Sequence, residues 1–263
     1  MVRKCVFCGI NSDKNRLTKE HVLPKWLKKI VPQDKWHWFI SSNSTDTPKQ
    51  RIVNGLTIFD ATISVVCEQC NNGWMSSQLE EPASKLLPAL IKGNEIHLDN
   101  DQKYLISLWA TKTAFIRVLL DGDNVLPESY YRDIRKLKIP NSINVILCSR
   151  VIGSTDVRSR VLRLKDIFNG HVFVCGIEIG CLLLIVSSFT TVAAAGDNNQ
   201  LIFRDKLPAS NEKIHPNDNS ASIFPLHCET DLAIDEIVNP AIEFLFPIFL
   251  DNKVSTKDFK SEK

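Results

Sequence analysis

The chain has 263 residues, 44% of them hydrophobic and 24% charged, with 32 Lys+Arg against 30 Asp+Glu and eight cysteines. An ordinary apolar fraction at this length excludes a disordered tail, a collagen-like repeat and a small disulfide-stapled scaffold, and leaves room for one or two domains with real cores. The net charge of +2 hides an asymmetry: residues 1–40 hold nine basic and three acidic side chains, a net of +6, so the remaining residues carry −4.

The first feature is Cys5-Val6-Phe7-Cys8, followed by Gly9, which suits a tight turn. Arg3 and Lys4 lead straight into it, without the apolar stretch of a secretory signal, so the expected compartment is the reducing cytoplasm. Thiols and metal ligands are favoured there over disulfides. Lys19 precedes Glu20-His21-Val22-Leu23-Pro24, and Pro24 opens a short helix over PKWLKKIV that carries Lys25, Lys28 and Lys29. The aromatic run Trp36 to Phe39 and the polar loop Ser41 to Gln50 follow. The run RIVNGLTIFDATISVVC has strand character with a turn at Asn54-Gly55, and leads into Cys67-Glu68-Gln69-Cys70 and Asn71. Pro82 and Pro88 are expected to break any long helix after Trp74 and to mark a boundary near residues 82–95.

From Asn100 a helix is expected. Leu105, Leu108, Trp109, Phe115, Ile116, Leu119 and Leu120 recur at spacings of three and four, Asp99 and Gln102 form a capping pair, and Asp121-Gly122-Asp123 stops it. Three strand regions follow, SINVILCSRV, RSRVLRLKDI and HVFVCGIEIGCLLLIVSS, and then a terminal helix over LAIDEIVNPAIEFLF. Ile179 to Gly196 is free of charge and approaches the length of a membrane span, but its hydroxyls, glycines and β-branched core favour a buried strand. The expected architecture is α+β: residues 1–95 as a zinc-held module, 96–250 as a mixed sheet-and-helix domain, and 251–263 as a polar tail.

Chemistry concentrates in the first third. Two CxxC knuckles 58 residues apart supply four thiolates, which suit the tetrahedral preference of a structural Zn²⁺ at Cys5, Cys8, Cys67 and Cys70. A lone CxxC reads equally as a redox dithiol; the pair favours zinc. Such a site is closed and cannot itself activate water. Cys148, Cys175, Cys181 and Cys228 lack that spacing and read as packed thiols. Trp26 and Trp74 read as packing for the zinc module. Singly, His21 reads as a hairpin histidine and Asn71 as a helix cap.

Taken together, CVFCG, EHVLP and CEQCNNGW resemble the HNH, or ββα-metal, nucleases, in the zinc-held variety of the phage Holliday-junction resolvases. The resemblance spans residues 5 to about 82. It implies that His21 is the general base and that Glu20 and Asn71 hold one catalytic Mg²⁺ or Mn²⁺. Nucleic acid, above all DNA, would be the substrate, and phage defence or mobile-element biology the context. The chain departs from the family's pattern in having Glu20 where Asp is usual, in lacking a final His, and in placing Thr62 where a bracing Asn is expected. That leaves Asp60 or a backbone carbonyl to orient the imidazole. In this setting Lys19, Lys25, Lys28 and Lys29 read as phosphate contacts. The C-terminal part is similar to extensions of bacterial and prophage HNH proteins, and a homo-oligomer or regulatory partner fits it. The rival from another class is a non-catalytic zinc module that binds nucleic acid or protein.

Overall fold

The computed structural model describes residues 3–31, 33, 36–41, 49–55, 57–120, 124–165, 170–190, 211–216 and 221–226. The fold is α+β. A long N-terminal excursion comes first: strand β1 (Leu17–His21), a 3₁₀ turn at Lys25–Lys29, the hairpin β2 (Trp36–Ser41) and β3 (Lys49–Asn54), a second 3₁₀ turn at Ile58–Asp60, and β4 (Thr62–Cys67). β4 returns antiparallel to β1 and runs without a break into helix α1 (Glu68–Cys70). The aromatic run lies in β2; the expected terminal helix, the tail and Cys228 lie outside the described residues.

The helical path differs from expectation. Beyond α1 the path kinks at Gly73 (φ −90°, ψ −115°) within a π-helical stretch over Asn71–Glu80 and continues as α2 (Glu81–Ile91), with Pro82 near the start of α2 and Pro88 inside it. Proline removes a hydrogen bond and crowds the preceding turn. Pro82 falls where a first turn needs no N–H, just after wide π turns, so it is compatible with the path. Leu86, Leu87, Leu90 and Ile91 are buried and hold the remainder of α2 in place around Pro88.

Strand β5 (Ile96–Leu98) precedes α3 (Asn100–Leu120), which begins at the expected cap: Asp99 N–H donates to Gln102 Oε1 at 3.0 Å and Gln102 N–H to Asp99 Oδ1 at 2.8 Å. After α4 (Glu128–Arg135) come β6 (Ile143–Ser149), β7 (Val157–Lys165), β8 (His171–Ile179), β9 (Leu182–Phe189) and β10 (Asn211–His215). They form one antiparallel sheet in the order β10-β6-β9-β8-β7, while β11 (Ser222–Phe224) pairs with β5. Every residue of β8 is buried, as are all but the last of β9. Over its described residues, 179–190, the charge-free segment is therefore a tight turn at Gly180 (φ +58°) and a buried strand. Among the described residues no helix is long and apolar enough to cross a membrane.

Phe173, Cys175, Ile177, Leu182, Leu184 and Val186 turn one face of this sheet into the main core with Trp109, Ala110, Phe115 and Ile116 of α3. The same core takes in Phe7, Val22, Leu27, Phe59 and Val66 from the N-terminal part, so α3 lies against both.

Candidate functional site

The first knuckle is shaped by its backbone. Cys5 N–H donates to Ile10 O and Gly9 N–H to Cys5 O, each at 2.9 Å, with Gly9 in the left-handed region at φ +74°. Val6 N–H donates to Val65 O at 3.0 Å, which ties the knuckle to β4 just upstream of Cys67. The second knuckle opens α1. The ligand atoms of Cys5, Cys8, Cys67 and Cys70 all lie within 4.8 Å of one another, and the Cys8 and Cys67 sulfurs are 3.6 Å apart. Tetrahedral zinc with Zn–S bonds of about 2.3 Å needs sulfurs roughly 3.8 Å apart, so the four fit a metal ion.

Protonation in the cluster is uneven. The Cys70 thiol beside it lowers the Cys5 thiol to about 4, whereas burial pushes Cys67 up to about 11. Cys70 is pushed up as well, chiefly by its contact with Cys5. One thiolate supported by neighbouring thiols is the donor set that a metal converts fully to thiolates. The Trp74 indole, packed edge-on against Phe7 at 5.3 Å, turns a buried N–H with no oxygen or nitrogen partner toward the cluster, where it lowers Cys70; a metal-bound thiolate would accept it. Cys148, Cys175 and Cys181 are buried elsewhere, as expected of packed thiols.

A cleft of about 180 Å³ adjoins the cluster, lined by Glu20, His21, Pro24, Lys25, Asn71, Met75, Ser76 and Glu80. The three residues singled out for catalysis are thus brought together, by β1 and by the first residue after Cys70. In a regular strand Glu20 and His21 would face opposite sides. Here two residues of β4, Ser64 and Val65, oppose Lys19 alone, and such a bulge re-aims the side chains beside it. His21 pairs with Thr62, the position aligned with the missing Asn.

Asn71 is oriented by a chain of hydrogen bonds. Thr18 Oγ1 donates to Val66 O at 3.2 Å and therefore accepts from Asn71 Nδ2 at 2.9 Å. That leaves the amide oxygen as the group with acceptor capacity, the end that binds a hard cation. The His21 side chain is half-buried and has no hydrogen-bonding partner among the described residues. Burial and the Lys25 charge hold its pKa below the ordinary 6.5. Asp60 is not its hydrogen-bonding partner. Its Oδ1 accepts from Lys28 Nζ at 2.5 Å and its Oδ2 from Thr57 at 2.8 Å, which lowers it to about 2.

Of the four lysines read as phosphate contacts, Lys25 lines the cleft, Lys19 and Lys29 are exposed, and Lys28 is engaged by Asp60. Trp26 donates its indole N–H to Glu80 Oε2 at 3.2 Å, at the floor of the cleft.

Two residues were not foreseen. Lys112, fully buried in the middle of α3, places Nζ 3.3 Å from Glu20 Oε1 and 2.5 Å from Glu80 Oε1. Glu80 Oε2 also accepts from the Trp109 indole at 3.2 Å. Burial raises the Glu20 pKa, against the opposing pull of Lys112. Burial also opposes the charge on Lys112, but Glu80 and Glu20 outweigh it and hold its pKa above the ordinary value. The signal for Lys112 was present in the sequence. It falls on the apolar stripe of its helix, three residues after Trp109 and three before Phe115, where a lysine needs a buried counter-charge. No comparable pattern marks Glu80.

The chain matches no family model, no curated protein and no solved structure.

Proposed function

We propose that the protein is a metal-dependent endonuclease of the HNH, ββα-metal type, acting on nucleic acid and above all on DNA. The observation that carries this reading is the shared cleft: Glu20, His21 and Asn71 line one opening beside a four-cysteine cluster, on two antiparallel strands followed by a helix. Glu20 and the Asn71 amide oxygen offer hard oxygen donors suited to Mg²⁺ or Mn²⁺, and the four thiols suit structural Zn²⁺. Bound between those oxygens, the divalent ion would supply Lewis acidity at the scissile phosphate and at the leaving oxygen.

His21 takes the proton of the attacking water as its oxygen bonds to phosphorus. The bond to the 3′ oxygen breaks and that oxygen takes a proton from solvent, leaving a 5′ phosphate and a 3′ hydroxyl. An imidazole with a depressed pKa is neutral at physiological pH and has its lone pair available. Lys25 is placed to meet the phosphate, with Lys19 and Lys29 as outer contacts. Activity within a cell would suit phage defence or mobile-element biology, by analogy alone.

The test is cleavage of single-stranded, duplex and branched DNA, and of RNA, with Mg²⁺ or Mn²⁺. His21→Ala should lower the rate by about 10²-fold or more, the scale of a lost general base, with zinc content and thermal unfolding unchanged. Equal rates in the two proteins would remove the mechanism. A second reading, a non-catalytic zinc module, draws on the ion pair that engages Glu20 with Lys112. It expects salt-sensitive binding of nucleic acid without cleavage under any of these conditions.

A further inference from the structure

The cation paired with the proposed metal ligand belongs to a different part of the chain. Lys112 comes from the centre of α3, 92 positions from Glu20 in sequence, and holds Glu20 Oε1 from beneath the cleft. Glu80 is its second partner: the buried Glu80 Oε1 is ion-paired with Lys112 without a hydrogen bond, while Oε2 receives the indole N–H groups of Trp26 and Trp109. Glu80 is thus a fixed anchor for the ammonium rather than a ligand. Glu20 is held at one oxygen only; among the described residues its Oε2 has no hydrogen-bonding partner, and the residue lines the opening.

An ammonium pinned between two carboxylates fixes both in direction as well as in charge. The three charged residues place one positive charge against two negative ones, which leaves one net negative charge at the Glu20–Glu80 side of the cleft, suited to a cation. We infer that Lys112 is a positioning residue for the proposed nuclease site: anchored by Glu80, it orients the Glu20 carboxylate so that Oε2 faces a divalent cation in the cleft. This rests on the nuclease reading for the identity of the site, and on the geometry of Lys112, Glu20 and Glu80 for the role of Lys112. It also makes α3, outside the segment that resembles the nucleases, part of the site.

The primary test uses the wild-type protein. Its lysine ammonium groups are followed by ¹H–¹⁵N correlation NMR during a Mg²⁺ titration, with Lys112 assigned by its loss in Lys112→Arg. A buried, paired ammonium should give a protected signal that shifts as Mg²⁺ saturates. In parallel, Lys112→Met should raise the Mn²⁺ concentration for half-maximal cleavage by about tenfold or more, the usual scale for a residue that orients a metal ligand. Lys112→Arg, which keeps the charge, should recover part of that loss. Zinc content serves as the control for an intact cysteine cluster.

An ammonium signal unmoved at Mg²⁺ concentrations that saturate cleavage would overturn the inference and leave the nuclease reading standing. So would a folded Lys112→Met with the wild-type Mn²⁺ dependence. If Lys112→Met does not fold, the wild-type titration decides. If the wild type cleaves nothing, the nuclease reading is lost, and a Lys112 signal that still follows Mg²⁺ upholds the positioning of a cation-binding carboxylate; one that does not refutes it.

Discussion

The N-terminal part and the antiparallel sheet share one core but are held by different forces. Residues 3–31 and 57–70 contribute few large buried side chains, chiefly Phe7, Leu23, Leu27 and Phe59, and bring four sulfurs to one point. The sheet buries β8 throughout and has no such ligand cluster among the described residues. A segment with little apolar surface gains order from metal binding, whereas a sheet covered on both faces gains it from burial at about 25 cal/mol per Å². The cleft lies on the side of the four-cysteine cluster, among short strands, a bulge and 3₁₀ turns. Behind it, Lys112 of α3 pairs with the lining residues Glu20 and Glu80, and α3 also packs against the sheet.

The largest effect should come from removing a cysteine ligand. Cys70→Ser is expected to abolish zinc binding, measured by metal analysis, and to unfold the N-terminal part, since structural zinc contributes on the order of 10 kcal/mol in small domains. Persistence of the sheet's circular-dichroism signal in that variant would sharpen the contrast; complete unfolding would show that the shared core makes the two parts one unit. Lys112→Met should cost about 3–5 kcal/mol in denaturant unfolding, because it leaves the buried Glu20 and Glu80 carboxylates without their cation. That substitution strikes the joint between the two regions.

Gly180→Ala tests the packed region alone. A Cβ there would lie 2.6 Å from the Ile91 carbonyl oxygen, on a backbone at φ +58°, so a loss of about 1–3 kcal/mol in thermal unfolding is expected with zinc content unchanged. Asp60→Asn should have the smallest effect, about 0.5 kcal/mol, as for a solvent-screened pair. The folded Asp60 carboxyl titrates near 2, below its ordinary 3.8, so its contribution is present in full above 3.8 and is lost as pH falls toward 2. Unfolding measured from pH 5 to pH 2 should show a shallower acid loss in Asp60→Asn than in wild type.

Much of this was legible in the residues themselves. The two CxxC pairs, Gly9, the Asp99–Gln102 cap and the continuous apolar run of the buried strands each carry a local physical requirement that the residues reveal. The juxtaposition of Glu20, His21 and Asn71 followed from a resemblance in motif order rather than from local rules. The continuation of helix through Pro82 and Pro88 was not legible, because α2 is held by burial of Leu86, Leu87, Leu90 and Ile91 against distant parts of the chain. Lys28 looked like a free cation, since nothing local reveals that the turn at Ile58–Asp60 brings Asp60 to it.

By itself the sequence determined the metal-binding potential, the α+β class, the main helix and the charge-free segment that becomes β9. Those depend on spacing and side-chain chemistry within short stretches. Tertiary structure alone decided that Lys112 and Glu80 underlie Glu20, that Lys28 is paired, and that the Asn71 amide is fixed by Thr18. Each of these depends on which distant charge or hydrogen-bonding group is brought within about 3 Å in a place with little water, where an ionic or polar group must find a partner.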